Sequence, residues 1–148
     1  MTLEEIMKQW EADSQIDQVN LDNAVIETAK LHSKYLELLN VNKMKLKKRQ
    51  YQMDILRKDK WMYFGGKMTK QQMDSKGWNY DPFDGCNKPL KNEMDFWMKA
   101  DKEVQEMQTK IDYSQMVVDA LIDIMENIKW RNQSIRNIID WRRFTSGD

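Results

Sequence analysis

The sequence contains little that would interrupt a helix or cross-link the chain. Only two prolines, five glycines and one cysteine occur among its 148 residues. The single cysteine, Cys86, excludes an internal disulfide, which is typical of proteins in a reducing cytoplasm. No apolar run approaches about 18 residues, and no basic leader precedes an apolar block at the start. We therefore expect a cytoplasmic protein without a signal peptide or a membrane span.

The residues that usually carry catalysis or metal binding are also scarce. The one histidine, His32, is expected to be a packed helix residue. Together with one distant cysteine it makes no recognisable metal site or nucleophile–base pair. The run Gly65-Gly66-Lys67-Met68 lacks the spacing of a phosphate-binding loop. The sequence therefore predicts no enzyme, no metal site and no cofactor.

Three helical segments are predicted, because Glu, Lys, Gln, Met, Ile and Leu are abundant and helix breakers are rare. They cover residues 3–13, about 20–64 and about 91–143. Thr2 and Glu5 have the spacing of a capping box, which satisfies free N–H groups at a helix start. The fold class is therefore all-α, with long helices that form a helical hairpin or bundle.

The only long break in the helical pattern lies between residues 65 and 90. Its glycines, prolines and aspartates are typical of turns, and Trp78, Tyr80 and Phe83 could anchor it. We accordingly divide the chain into an N-terminal helical region (1–66), an aromatic loop (67–90) and a C-terminal region formed by one long helix (91–148).

The C-terminal helix carries an apolar seam at heptad-like spacing over more than six heptads. One small chain has little else to cover two helices of about 45 and 53 residues, so exposed stripes of this length favour association into a homo-oligomeric ring. The alternative is an antiparallel hairpin within one chain that already buries both stripes. The predicted oligomerisation residues are Val104, Ile111, Val118, Leu121, Met125, Ile128 and Ile135.

Charge is distributed unevenly although the net charge is zero. Residues 40–72, the basic block, hold 10 basic and 2 acidic side chains. At about 100° per residue, its lysines and arginines form a stripe beside the packing residues. Aromatic residues are interleaved with this stripe or follow it: Tyr51, Trp61, Tyr63 and Phe64.

Basic side chains neutralise phosphates, and aromatic faces stack on unpaired bases, so this combination favours single-stranded DNA. A solvated helix face with core aromatics is the alternative. Oligomerisation would multiply a weak site by repeating it. The candidate nucleic-acid-binding residues are Lys43, Lys47, Lys48, Arg57, Lys58, Lys60, Trp61, Tyr63 and Lys67.

The sequence resembles the recombination mediators of tailed phages, the UvsY family. The likeness lies in Asp17, Leu21 and Ser33-Lys34-Tyr35-Leu36, and in Leu56-Arg57-Lys58-Asp59-Lys60 followed by aromatics and glycine. It continues through Ala100-Asp101-Lys102-Glu103-Val104 and the ending from Ile138 to Gly147. The segment from about 68 to 92 departs from the family pattern.

The resemblance implies a hexameric or heptameric ring that binds single-stranded DNA and performs no chemistry. It also implies that the protein helps to load a RecA-like recombinase onto strands covered by single-strand-binding protein. The C-terminal region would assemble the ring. Which of Arg57, Lys58 and Lys60 takes the family's DNA-binding role stays open.

Two other functions fit the same residues. One is a helical scaffold or adaptor whose basic face docks a protein partner. The other is a membrane-surface protein, since basic amphipathic helices also bind anionic lipid. The second is disfavoured because helix packing uses the apolar face, so we expect no membrane partner.

Overall fold

Five helices make up the protein in a computed structural model that describes residues 1–147, and none of these residues forms a β-strand. The all-α prediction is confirmed. The helices are α1 (Leu3–Asp13), α2 (Leu21–Phe64), α3 (Lys70–Lys76), α4 (Met94–Ala100) and α5 (Lys102–Ser146). None of the helices described is both long and apolar enough to cross a membrane.

Helix α1 begins at the predicted capping box. The Thr2 hydroxyl accepts from the Glu5 backbone N–H at 3.2 Å, and the Glu5 carboxylate accepts from the Thr2 N–H at 2.8 Å. Both bonds satisfy N–H groups that have no partner inside the helix. The apolar face of α1 places Ile6 fully inside the protein.

The chain divides into two structural units. Unit 1 contains Met1–Lys45 and the chain from Tyr113 onward, and unit 2 contains Leu46–Asp112. Within unit 2, Arg49 donates to the Lys110 carbonyl at 2.9 Å and Lys60 pairs with Asp101 at 3.0 Å. Within unit 2, α2 and α5 therefore run antiparallel, as expected for the predicted helical hairpin. The boundaries of these two units differ from those of the three regions predicted from the sequence. The functions expected of those regions stay predictions.

Unit 1 is held together by a core from α1, α2 and α5. Trp10 of α1 packs edge-on against the buried Tyr35 of α2, with ring centroids 5.3 Å apart. The buried Arg131 of α5 donates to the carbonyls of Ser14 and Gln15, just after α1. These contacts join the two ends of the sequence within one unit.

The apolar seam of α5 packs inside a single chain. Five of its seven predicted oligomerisation residues are buried there, and Ile111 and Met125 are partly buried. An apolar side chain already covered within its own chain is not available to a second copy. The assignment of these residues to the surface between subunits therefore does not fit the structure. The five are Val104, Val118, Leu121, Ile128 and Ile135.

Near the start of α2, the buried face is not the one on which His32 lies. Ala24 and Leu31 are buried, whereas Val25 and His32 are exposed. The prediction of a packed His32 is therefore wrong. A helix turns by about 100° per residue, so neighbouring residues such as Leu31 and His32 lie on different faces.

The segment predicted as a loop contains helix α3 and packs as part of unit 2. Thr69 and Gln72 form a second capping box, and Gly77 ends the helix with a left-handed φ of 72°. Glycine adopts this conformation without the steric cost of a Cβ. The buried cluster of unit 2 consists of Tyr63, Phe64, Met73 and Phe83.

The third predicted helix is broken at Asp101. This residue has an extended backbone, and its carboxylate accepts from the Val104 N–H at 3.1 Å, so it caps α5. Aspartate favours this position because its short side chain reaches the free N–H groups of the first turn. The prediction of one helix over 91–143 is therefore wrong, and α4 packs separately through Trp97 against Phe83.

Candidate nucleic-acid interface

An exposed basic and aromatic face lies on the part of α2 that belongs to unit 2. Lys47, Tyr51, Lys58 and Trp61 fall within about a quarter-turn of one another at 100° per residue, and all four are exposed. We call these four residues the α2 face. Lys48 and Arg57 flank it and are also exposed.

Two exposed aromatic rings in this region each have a lysine ammonium nearby. Tyr51 is 57 % exposed, and the Lys47 Nζ lies 5.6 Å from its ring centroid. Trp61 is 49 % exposed, and the Lys67 Nζ lies 4.2 Å from its ring centroid. Both distances are within the range of cation–π attraction. A flat stacking surface and a positive charge thus occur together twice, once on α2 and once at its C-terminal end.

Lys58 has an acidic neighbour that reduces its free charge. Its Nζ lies 3.1 Å from Asp59, which also pairs with Lys76 at 3.2 Å. Burial would raise the pKa of Asp59, but hydrogen bonds from Lys58 and Lys76 outweigh it and lower that pKa. Asp59 therefore stays ionised, while the Lys58 side chain is still 65 % exposed.

Lys60, a predicted DNA contact, lies inside unit 2. The residue is 3 % exposed, and its Nζ lies 3.0 Å from Asp101 and 3.6 Å from Glu103. The same ammonium is 3.9 Å from the ring centroid of Trp78. A lysine paired and covered in this way cannot reach a phosphate, so we leave it out of the interface.

Tyr63 is also unsuited to the stacking role predicted for it. The ring is buried, and its hydroxyl donates to the Asn79 carbonyl at 2.6 Å. Burial, aided by the charge of Asp101, raises the pKa of this hydroxyl. Tyr51 offers the exposed ring that Tyr63 does not.

Lys43 belongs to the part of α2 in unit 1, where it is exposed. Its position satisfies the accessibility that a phosphate contact needs.

A cavity of about 350 Å³ opens beside Trp61 at the C-terminal end of α2. Its lining includes Lys67, which the sequence predicted as a DNA contact, and Lys88 and Lys91, which it did not. The only available signal for these two was their charge, at the boundary between the predicted loop and the third predicted helix. Within residues 1–147, no group of three or more His, Cys, Asp or Glu side chains could hold a metal ion.

Comparisons with known proteins agree with this architecture. The family model described as "Recombination, repair and ssDNA binding protein UvsY" matches residues 9–148. The recombination protein uvsY of Enterobacteria phage T4 is 25 % identical over 147 residues, which cover 99 % of both chains.

Crystal structures of the bacteriophage T4 recombination mediator protein UvsY have the same fold. One lattice form matches with a TM-score of 0.83 and 24 % identity, over 99 % of this chain and 98 % of that one. Another matches with a TM-score of 0.81 and 23 % identity, over 95 % and 98 %. Because the family model spans nearly the whole sequence, the chain belongs to the UvsY family of recombination, repair and single-stranded-DNA-binding proteins.

Proposed function

We propose that this chain is a recombination mediator that binds single-stranded DNA through the α2 face. The observation that carries the proposal is the repeated pairing of an exposed ring with a lysine, Tyr51 with Lys47 and Trp61 with Lys67. Unpaired bases can stack on such rings, while the lysines neutralise the adjoining phosphates. Duplex DNA keeps its bases stacked and offers only the phosphates. The other proposed contacts are Lys43, Lys48 and Arg57.

The proposed mediator acts as a homo-oligomer, a hexamer or heptamer. Support comes from a row of exposed apolar side chains on the unit 1 part of α5, which fall within about a quarter-turn at 100° per residue. Exposed apolar surface of this kind is typical of association sites. The row contains Met116, Trp130, Trp141 and Phe144.

We further propose that the bound strand is presented to a RecA-like recombinase as single-strand-binding protein is displaced. The solved relatives are described as recombination mediator proteins, which supports this role. Repeating the α2 face around an oligomer would bend one strand over several subunits and raise its affinity through multivalency. In this role the protein binds DNA and assembles in the host cytoplasm. The role requires no bond-breaking step and no membrane partner.

Titration of labelled single-stranded and duplex oligonucleotides at several salt concentrations tests the proposal. We expect salt-sensitive binding with a preference for single strands. Arg57→Ala with Lys58→Ala should weaken it and reduce the slope of log K against log salt by about 1.4, the value for two phosphate contacts on single-stranded DNA. Lys99→Ala with Lys102→Ala removes two exposed lysines elsewhere in unit 2 and should change little.

Absence of single-strand binding at low salt, from protein shown to be folded, would overturn the proposal. The basic face would then be assigned to docking a protein partner, as in a scaffold or adaptor.

A further inference from the structure

The cavity beside Trp61 has a composition that the proposed interface does not explain. It lies where α2 ends and the chain returns toward α4, entirely within unit 2. Its volume of about 350 Å³ is in the range of small-ligand sites, which begins at about 300 Å³. The residues that matter for recognition are Trp61, Lys67, Lys88, Lys91, Met94 and Asp95.

The cavity is positively charged, since three lysines face one aspartate. Within residues 1–147, none of these three ammonium groups is in an ion pair, unlike those of Lys60 and Lys76. Lys88 donates to the Gly65 carbonyl at 3.2 Å, a neutral partner at the end of α2. Uncompensated positive charge in a concave site favours an anion.

The cavity also has an aromatic wall. Trp61 is half exposed, with the Lys67 Nζ 4.2 Å from its ring centroid, and Met94 adds apolar surface. Inorganic phosphate would use the lysines and leave this wall unused. A nucleotide uses both, because one sugar joins a flat base to a phosphate.

We propose that this cavity is a subsite for one unstacked nucleotide of the single strand. The base stacks on Trp61, and the adjoining phosphates of the strand contact Lys67, Lys88 and Lys91. Trp61 also belongs to the α2 face, so a strand that follows that face reaches the cavity without interruption. This inference rests on the proposed function and adds Lys88 and Lys91 to it.

A comparison of normal and abasic strands tests the stacking part. Wild-type protein should bind an oligo-dT strand more tightly than the same strand with its bases removed. Trp61→Leu should weaken binding to oligo-dT by about 5- to 150-fold, the equivalent of one lost base stack. The same substitution should barely affect the abasic strand. Equal losses on the two strands would overturn the assignment of a base to Trp61.

Lysine substitutions test the phosphate part. Lys91→Ala should weaken binding to both strands and reduce the salt slope by about 0.7, the value for one phosphate contact on single-stranded DNA. Lys88→Ala should do the same, but Lys88 also contacts the end of α2. If Lys88→Ala loses helical signal at a lower temperature than the wild-type protein, its folding is affected. The result for Lys91→Ala alone then decides the test.

The outcomes separate this inference from the proposed function. If Arg57→Ala with Lys58→Ala and Trp61→Leu weaken binding but Lys91→Ala matches the Lys99→Ala, Lys102→Ala control, the subsite is overturned and the function stands. If the wild-type protein does not bind single strands, both fail.

Discussion

At the scale of single residues, Lys58 and Lys60 show how helix geometry gives neighbouring lysines different roles. Two residues along a helix correspond to a rotation of about 200°, so the side chains point to opposite sides. Lys58 has a side chain 65 % exposed, whereas that of Lys60 is 4 % exposed and pairs with Asp101. The first is accessible to a phosphate, and the second is paired inside unit 2.

Lys60→Met should lower the free energy of unfolding by about 3 kcal/mol, because it leaves Asp101 partly buried without its partner. Lys58→Met is the matched control and should change it by less than about 0.5 kcal/mol. Chemical denaturation of both variants measures this difference. Similar losses from the two substitutions would contradict the different roles.

The sequence could identify the basic block but could not rank its lysines. Their charge is visible in the sequence, whereas the burial of Lys60 depends on Asp101 and Trp78, about 40 and 20 residues away. Tyr63 was misjudged for the same reason, since its partner Asn79 lies in a segment interpreted as a loop.

At the scale of secondary structure, local signals located α1 and the long α2 well, yet two boundaries were missed. Helix α3 begins with the same kind of capping box as α1, from Thr69 to Gln72. The glycines and prolines around it obscured seven helical residues. At Asp101 the opposite error occurred, because a continuous apolar pattern concealed a capping aspartate.

Thr69→Ala should lower stability by about 1 kcal/mol, since a lost cap leaves free N–H groups in a helix of only seven residues. Amide exchange in α3 should accelerate, and Met73 should lose part of its packing. Ser75→Ala is the control, as its hydroxyl donates only to the Gln72 carbonyl within the same exposed helix. Unchanged exchange in Thr69→Ala would show that tertiary packing alone holds α3.

At the scale of the whole molecule, the apolar seam of α5 is covered within one chain, whereas the sequence analysis favoured a contact between copies. An apolar stripe has the same sequence whether its own chain or another copy covers it. In the structure Leu121 is fully buried within one chain, whereas Trp141 and Phe144 are 65 % and 76 % exposed. The two exposed rings stack on each other, with centroids 5.8 Å apart.

Leu121→Ala should destabilise the fold by about 2–5 kcal/mol through a cavity in unit 1. Trp141→Asp with Phe144→Asp should leave the helical content intact, dissociate the proposed oligomer and weaken DNA binding through lost multivalency. Analytical ultracentrifugation and thermal unfolding distinguish the two effects. An unchanged oligomer in the double variant would place the contact between subunits elsewhere.

The discontinuity of unit 1 has a consequence for folding during synthesis. Unit 2 is one stretch, Leu46–Asp112, and can form as soon as it leaves the ribosome. Unit 1 cannot form at that stage. The Leu3 N–H bonds to the Tyr113 hydroxyl and the Ser14 carbonyl accepts from Arg131, and these partners follow 110 and 117 residues later in the chain. Until then the core of unit 1 lacks the buried residues that α5 supplies, among them Leu121 and Ile128. A nascent chain paused before Arg131 would therefore contain a folded unit 2 and an incompletely packed N-terminal part of unit 1. A chaperone would bind that N-terminal part.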